Sequence, residues 1–291
     1  MIKKILFWLE NSRIFSLPMT LLSWLVIFVY SLKLDGNVLN GIVALIGISF
    51  AHLATNLFDD YIDYKRLTDC SQKCKCAYIK EGKATLKDVL VVVIIYCIIA
   101  SLAGLFLLLR CGFPVVVLGL IGGIITLVYA KLSQNGLSEF AVGTAFGPLL
   151  FEGVYFVMTG KFSLIVLVLS LAVVMFTIGL LYVHTLLDFE GDMNAHKKTL
   201  VCRIGNKNLA LKGVFVVYSL GYLFTLILAF MLNNYFILLT FLLIPLVFDI
   251  YNSLKTFTCG DDVKEFYFRL LKARNLMVYY SVIILLLLIL S

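Results

Sequence analysis

The stretch "NLFDDYIDYKRLTD" occupies Asn56–Asp69 and follows one of the most apolar segments of the chain. It places four carboxylates, at positions 59, 60, 63 and 69, where a hydrophobic helix is expected to leave a membrane. The chain is 62% hydrophobic and only 14% charged, with a mean hydropathy of +1.03, whereas ordinary soluble domains carry about 25% charged residues. This composition excludes an ordinary soluble domain and predicts a membrane protein.

Outward from this stretch, nine windows are apolar over the roughly 20 residues that a membrane-spanning helix requires. They cover residues 14–34, 39–58, 88–109, 113–132, 138–159, 163–187, 209–232, 234–253 and 275–290. We therefore predict an all-α fold, a polytopic membrane helix bundle of nine transmembrane helices that forms a single domain over residues 1–291. Loops at about 59–87, 188–208 and 254–274 are predicted to cap its cytoplasmic end.

The distribution of basic residues predicts the orientation of the bundle. Of the 24 Lys and Arg residues, 21 fall on the side of the N-terminus, and Lys33, Arg110 and Lys161 fall on the opposite side. Because cytoplasmic loops carry an excess of Lys and Arg, the N-terminus and the acidic stretches are predicted to be cytoplasmic and the C-terminus to lie outside. The net charge of +7 then reflects topology and contact with membrane lipids, and no nucleic-acid partner is expected.

A short cysteine run lies in the first of the predicted cytoplasmic loops. Cys70, Cys74 and Cys76 have metal-ligand spacing, but no second ligand cluster accompanies them. Disulfides are disfavoured in the cytoplasm, so free thiols are the favoured interpretation, and the sequence assigns these cysteines no role.

Two of the predicted spans end in polar stripes with helical spacing. Residues three or four apart share a helix face, and the stripes consist of His52, Asn56, Asp60 and Asp63 in the second span and His184, Asp188 and Asp192 in the sixth. Three pairs of these positions differ by the same 132 residues. This offset predicts two four-helix repeats, at about 14–132 and 138–253, followed by a ninth helix.

The paired acidic stripes predict a metal site. Ionised Asp side chains are costly within membrane spans, and crowded carboxylates repel one another unless cations neutralise them. Mg²⁺ binds one or two carboxylates together with substrate phosphates, and Asn56 offers a neutral oxygen ligand. Nearby basic side chains suit a diphosphate, although each one singly is more typical of a cytoplasmic loop; they are Lys65, Arg66, Lys197, Lys198 and Arg203.

The first acidic motif resembles that of the UbiA superfamily of intramembrane prenyltransferases. The branch that prenylates dihydroxynaphthoate for menaquinone reads N-x-x-N-D-Y-x-D-x-x-x-G-x-D after its second span. The residues that match this pattern are Asn56, Asp60, Tyr61, Asp63 and Asp69. Asp59 replaces an Asn of the pattern, and Leu67 replaces a Gly. Weaker similarity begins at "SRIFSLPMT" in the first span and at "GLSEFAVGTAFGPL" over residues 136–149.

The second acidic motif is similar to N-N-x-R-D-x-x-x-D-x-x-x-G-K-x-T-L-x-x-R-x-G of the same branch. The matching residues are Asp188, Asp192, Lys197, Thr199, Leu200, Arg203 and Gly205. The residues that depart from the pattern are His184, Thr185, Leu187 and His196. Because the missing Arg at position 187 removes a charge suited to a carboxylate, these departures predict a change in acceptor or in site geometry.

The resemblance implies a reaction and roles for these residues. Two Mg²⁺ ions would join the Asp clusters through a prenyl diphosphate, and the departing pyrophosphate would leave an allylic cation for an aromatic or quinone-precursor acceptor. Asp60, Asp63, Asp188 and Asp192 would be the catalytic and metal-binding residues. Asp60→Asn is accordingly expected to reduce turnover while sparing the fold.

The cation and the acceptor also need neighbouring side chains. Aromatic faces stabilise cations, and the candidates by proximity are Tyr61, Tyr129 and Phe146. His52 and His184 have two open interpretations: each orients the acceptor or acts as a base, or each is a hydrogen-bonded packing residue.

Parts of the sequence are also compatible with other functions. The same fold acts on a different acceptor in one alternative, such as a haem, a chlorophyll-like ring or a glycerophosphate lipid. A cation transporter is a second alternative from another class, but it predicts acids near mid-span, whereas these lie at the span ends. A lipid-alcohol phosphotransferase requires a D-G-x-x-A-R run that the chain lacks.

Overall fold

The computed structural model describes residues 2–66, 76–194, 198–257 and 263–290 of the chain. Within these ranges nine helices are long and apolar enough to cross a membrane, which confirms the predicted fold class. We number them span 1 to span 9: Ile14–Leu32, Val38–Lys65, Leu86–Cys111, Pro114–Gln134, Ser138–Thr159, Leu164–Leu187, Lys207–Leu232, Tyr235–Lys255 and Lys264–Leu290.

Short helices complete the described chain. An N-terminal helix covers Ile2–Asn11, and others lie at Ala77–Lys80, Phe189–Asn194 and Leu200–Ile204, between spans 2 and 3 and between spans 6 and 7. The helix of span 3 begins at a capping box, in which Thr85 and Asp88 exchange side-chain and backbone hydrogen bonds. The predicted cytoplasmic loops therefore contain regular structure.

Two boundaries differ from the hydropathy windows. Span 2 was predicted to end at residue 58, but its helix continues to Arg66. Span 9 was predicted to begin at residue 275, but its helix begins at Val263. Charged side chains lower the hydropathy without breaking a helix, because they pair with neighbours: the Lys272 ammonium, for example, donates to Asp249 of span 8 at 2.8 Å. Asp59, Asp60 and Asp63 thus lie in a continuation of the second helix.

Span 6 is the most buried of the nine helices. It packs against spans 5, 7 and 9, and the ring of its Phe176 stacks on Tyr280 of span 9 with centroids 3.6 Å apart. Gly213 of span 7 allows the close approach of Tyr182, because a Cβ there would lie 2.1 Å from the phenol oxygen. Small residues permit such contacts between membrane helices. These contacts hold the acidic end of span 6 in a fixed position.

Span 5 is interrupted in its middle. A π-helical turn covers Ala145–Leu149, and Gly147 inside it has non-helical dihedral angles of φ −96° and ψ −112°. Pro148 lacks the N–H of a regular helix, and a Cβ on Gly147 would lie 3.0 Å from Val174 of span 6. π-turns often occur at functional sites, and this one carries Phe146 against His52, with ring centroids 5.0 Å apart.

A second, smaller core joins the N-terminal helix to spans 2 and 3. Trp8 is buried there and makes an edge contact with Tyr78, which is also buried. Leu53, Leu57 and Val93 complete its centre. This core fixes the turn after the N-terminal helix beside the acidic end of span 2. The division into repeats at about 14–132 and 138–253 stays a prediction from the sequence.

Candidate active site

One large cavity lies inside the bundle, with a volume of about 1680 Å³. On span 2 its wall runs from Ala44 to Asp63, and the 19 steps between these residues correspond to about 28 Å of helix. The end near Asp63 is polar, and the remaining wall is mostly apolar with many small residues, including Gly47, Ala100 and Gly119. The cavity therefore combines a charged end with a long hydrophobic channel.

Four carboxylates line the polar end. They are Asp59 and Asp63 of span 2, Asp188 directly after span 6, and Asp192 in the next short helix. Facing acidic clusters on these two segments agree with the sequence prediction for Asp63, Asp188 and Asp192. The stripe on span 2 continues with Asn56 and His52, which line the same wall.

Asp60 does not belong to this lining, so the structure does not bring it together with the other three predicted carboxylates; its role as a metal ligand stays a prediction from the sequence. Its side chain is only 2% exposed. It forms an ion pair with Arg13, and the phenol of Tyr78 donates to its Oδ2 at 3.3 Å. Steps of three and four residues both keep a helix face, so spacing from Asn56 did not distinguish Asp60 from Asp59. Because Asp60 is the buried partner of Arg13, this geometry predicts a loss of stability in Asp60→Asn, where the sequence predicts a spared fold.

Arg13 is a site residue that the sequence analysis did not single out. It lies in the turn before span 1, in the left-handed region at φ 59° and ψ 48°, which is uncommon for a residue with a side chain. Its guanidinium contacts Asp60 and reaches Asp59 at 3.6 Å. Burial alone would lower the pKa of Arg13, but the two carboxylates raise it above its ordinary value, so the side chain carries a fixed positive charge.

The surroundings of Asp60 are closed to water. Burial raises the pKa of the Cys76 thiol to about 12, and the nearby carboxylate of Asp60 adds to this shift. Burial, together with the same carboxylate, also raises the pKa of Tyr78. Both groups are therefore neutral at physiological pH, and Asp60 connects Arg13 and Tyr78 across the smaller core. Cys70, Cys74 and Asp69 lie outside the described residues.

Hydrogen bonds orient the oxygen atoms of span 2. The Asn56 amide donates to the carbonyl of Ser12 at 3.0 Å and to Ser16 Oγ at 3.2 Å. Its Oδ1 is then the atom available for a cation. Asp63 accepts a bond of 3.0 Å from the amide of Gln134 in span 4. Partners of this kind hold ligand side chains in one orientation.

The two predicted histidines line the cavity in different ways. The ring nitrogens of His52 lie 3.1 Å from Ser16 Oγ and 2.8 Å from Thr20 Oγ1, so the ring is held by span 1. His184 Nδ1 lies 3.4 Å from Asp188, and its ring makes an edge contact with Phe266 of span 9. The hydrogen-bonded packing interpretation fits His52, whereas His184 is coupled to the acidic cluster.

The predicted diphosphate-binding cations that the structure describes do not line the cavity. Lys65 is exposed and donates to Tyr61 at 2.6 Å, and Lys198 and Arg203 are also exposed. Lys197 and the side chain of Arg66 fall outside the described part of the chain. Their basic character fits a cytoplasmic surface, and the cations that line the cavity are instead Arg13 and Arg274.

Aromatic residues flank the polar end. Tyr129 and Phe146 line the cavity, but Tyr61 stacks on Phe58 outside it. Tyr267 of span 9 also lines the cavity and was missed by the sequence analysis, because the start of span 9 was assigned to a loop. The half-buried Tyr129 and Phe146 at the π-turn therefore place two rings on the cavity wall.

The departures from the motif in span 6 divide into two groups. His184 and Thr185 line the cavity, but Leu187 is a buried core residue outside the lining. A larger charged side chain at position 187 would therefore point into the core of this structure. His196 falls outside the described residues.

The donor set of the polar end fits Mg²⁺. Its groups are carboxylate and amide oxygens, which Mg²⁺ prefers. Within the described residues, however, no three His, Cys, Asp or Glu side chains converge closely enough to hold a metal ion by themselves. This arrangement suits an ion that takes several ligands from water and from substrate phosphates.

Comparison with known proteins decides the family. Residues 16–272 match the UbiA prenyltransferase family over most of the chain. The chain belongs to this family. The family is one of prenyltransferases.

Among curated relatives, the chain is similar to 1,4-dihydroxy-2-naphthoate octaprenyltransferase from Bacillus subtilis (strain 168). The two are 24% identical over 161 residues, which cover 53% of this chain and 51% of the relative. The chain thus spans about half the length of the curated relatives it matches.

Solved structures share the whole fold. The structure of a digeranylgeranylglyceryl phosphate synthase covers 99% of this chain and 100% of its own, with a TM-score of 0.68 and 16% identity. The structure of a UbiA homologue from Archaeoglobus fulgidus bound to GPP and Mg²⁺ covers 95% of this chain and 99% of its own, with a TM-score of 0.63 and 13% identity. At these identities the likeness establishes the fold.

Proposed function

We propose that this UbiA prenyltransferase moves an isoprenoid chain from an allylic prenyl diphosphate to an aromatic or quinone-precursor acceptor and releases pyrophosphate. The observation that carries the proposal is that Asp59, Asp63, Asp188 and Asp192 meet at one end of a long apolar cavity. The acidic end suits a metal-bound diphosphate, and the apolar channel suits the isoprenoid tail. A homologous structure bound to GPP and Mg²⁺ supports this pairing.

The residues of the polar end have separate proposed roles. The four carboxylates and Asn56 Oδ1 would hold two Mg²⁺ ions, which when bound neutralise the charge that develops on the leaving diphosphate. Gln134 keeps Asp63 in position. Arg13 already lies beside Asp59, and its guanidinium suits a phosphate oxygen.

The remaining chemistry occurs at the boundary between the polar end and the apolar channel. The C–O bond of the allylic diphosphate breaks, and pyrophosphate leaves with the bonding electrons. An electron-rich ring carbon of the acceptor forms the new C–C bond and then loses its proton. The faces of Tyr129 and Phe146 beside this point favour the allylic cation, and the apolar walls exclude water that would capture it.

Two kinds of acceptor are supported by relatives. The Bacillus subtilis relative carries the name of a dihydroxynaphthoate prenyltransferase, which favours an aromatic acceptor. The synthase structure with the same fold concerns digeranylgeranylglyceryl phosphate, which supports a glycerophosphate lipid as the alternative. We propose the aromatic acceptor, because both acidic motifs resemble those of the dihydroxynaphthoate branch.

The proposal is tested with purified protein, labelled GPP and a panel of aromatic and glycerol phosphate acceptors. We expect a prenylated aromatic product and one equivalent of pyrophosphate, both lost in EDTA and restored by Mg²⁺. Transfer to glycerol phosphate acceptors alone would establish the alternative. Product formation that continues in EDTA would contradict the metal-dependent proposal.

We also propose that the N-terminus and the acidic ends of spans 2 and 6 face the cytoplasm, with the C-terminus outside. The excess of basic residues on one side supports this orientation. In cysteine-depleted protein, Lys161→Cys should react with an impermeant thiol reagent in intact cells, and Lys198→Cys should react only after permeabilisation. Both positions are exposed, so the reverse pattern of labelling would invert the topology.

A further inference from the structure

Span 9 presents one face to the cavity. Its lining residues recur at helical intervals, and they include Tyr267, Leu271, Arg274 and Val278. Asn275 lies next to this row and also lines the cavity. The span packs against spans 1 and 6. Span 1 carries Ser16, and span 6 leads directly into Asp188. A cation and an amide therefore face the same cavity as the four carboxylates.

Arg274 differs from Arg269 and Lys272, the nearest charged residues of span 9. Arg269 donates to the Ser253 carbonyl at 2.9 Å and pairs with Glu265 one turn earlier, and Lys272 pairs with Asp249. Within the part of the chain that the structure describes, the side chains of Arg274 and Asn275 have no hydrogen bond or ion pair. A charge within a membrane span is costly without a partner, so this guanidinium is suited to a ligand.

Ring contacts give the depth of Arg274 in the bundle. Phe266 contacts His184, one turn from Asp188, and Tyr280 stacks on Phe176 near the middle of span 6. Arg274 lies between these two levels, eight residues beyond Phe266, which corresponds to about 12 Å of helix. The cavity thus has an acidic pole at its end and a cationic group farther along its wall.

We propose that Arg274 and Asn275 bind the anionic group of the acceptor, so that its electron-rich carbon faces the acidic end. This inference rests on the proposed function and specifies the acceptor as an anion. A guanidinium binds a carboxylate or phosphate through two parallel hydrogen bonds, and the Asn275 amide supplies a further donor. A neutral acceptor would leave both groups unpaired.

The position also accounts for the departure at residue 187. The resemblance places an Arg there, but Leu187 is buried and lies outside the cavity lining. Arg274 is a cation on the cavity wall, eight residues along span 9 from Phe266, the ring that contacts His184. We therefore infer that span 9, and not the end of span 6, selects the charge of the acceptor in this protein.

The test compares matched acceptors in wild-type protein and in Arg274→Gln. The probes are 1,4-dihydroxy-2-naphthoate, its neutral analogue 1,4-dihydroxynaphthalene, and a geranylgeranylated glycerol phosphate, each measured by equilibrium binding and by turnover with GPP. We expect Arg274→Gln to weaken binding of the preferred anionic acceptor about 10- to 100-fold, the usual range for a lost charged hydrogen bond. The KM for GPP and the affinity for the neutral analogue should stay unchanged.

Lys272→Gln is the matched control, because it removes a positive charge from the same helix without touching the cavity lining. It should leave acceptor affinity unchanged, and Arg274→Lys should recover part of it. The thermal unfolding temperature of Arg274→Gln should match that of the wild type, since the side chain has no partner in the described protein.

Three results would overturn the inference. These are an equal loss of affinity for the neutral analogue, a higher KM for GPP in place of the acceptor effect, or unchanged binding of both anionic probes. The carboxylate and phosphate arms identify which anion is bound. Failure of the proposed function has a different signature, namely wild-type protein that binds an anionic probe through Arg274 but transfers no isoprenoid chain.

Discussion

Asp63→Asn and Asp192→Asn are each expected to lower Mg²⁺-dependent pyrophosphate release at least about a hundredfold. Both carboxylates line the acidic end of the cavity, on span 2 and in the short helix after span 6. Asn keeps the size of the side chain but removes the charge that holds the cation. The loss should be comparable to removal of an oxyanion-hole donor, about 2.7–4 kcal/mol of transition-state stabilisation.

Glu190→Gln provides the control for Asp192→Asn. Glu190 lies in the same short helix, pairs with Lys207 and lies outside the cavity lining. Its replacement should leave turnover within about twofold, because surface ion pairs contribute little to stability. The assay is pyrophosphate release from GPP over a Mg²⁺ titration, with thermal unfolding as the check on the fold. Full activity in both Asp variants would remove the two-cluster site.

Asp60→Asn is expected to destabilise the protein by about 3–5 kcal/mol, the cost of breaking a buried ion pair by removing one partner. Asp60 is 2% exposed, and it pairs with Arg13 and accepts from Tyr78. The Asn side chain would leave the Arg13 guanidinium without its buried counter-charge. Unfolding in detergent, followed by denaturant titration, measures the change.

Asp59→Asn separates this structural role from the catalytic one. The two residues are adjacent, but Asp59 lines the cavity and reaches Arg13 only at 3.6 Å. We expect Asp59→Asn to reduce turnover with little change in unfolding, the converse of Asp60→Asn. The double variant Arg13→Met/Asp60→Leu should recover stability relative to Asp60→Asn, because it leaves no unpaired charge. Equal stability of Asp60→Asn and wild type would contradict the structural role.

Hydropathy determined the number of spans because each crossing needs about 20 apolar residues whatever the neighbouring helices do. The ends of spans 2 and 9 were placed less well. Their charged residues pair with residues distant in sequence, as Lys272 does with Asp249, and such pairs allow a helix to continue where hydropathy falls. A local average does not contain that information.

The sequence likewise predicted part of the candidate site. Helical periodicity was sufficient to bring Asp63, Asp188 and Asp192 to one end of the bundle, since that end is set by span order and not by packing. It was not sufficient to choose between Asp59 and Asp60, which differ by 100° around the helix. The partner that buries Asp60 is Arg13, 47 residues earlier in the chain.

The sequence by itself determined that this chain is a multi-pass helical bundle with paired acidic motifs, because composition and spacing are local properties. Only the tertiary structure decided which side chains face the cavity. The rotation of each helix follows from its packing, for example the stack of Phe176 on Tyr280 and the anchoring of Tyr78 beneath the N-terminal helix. Those contacts turn Asp60 into the protein and Arg274 toward the cavity, and neither direction is encoded in the residues adjacent to them.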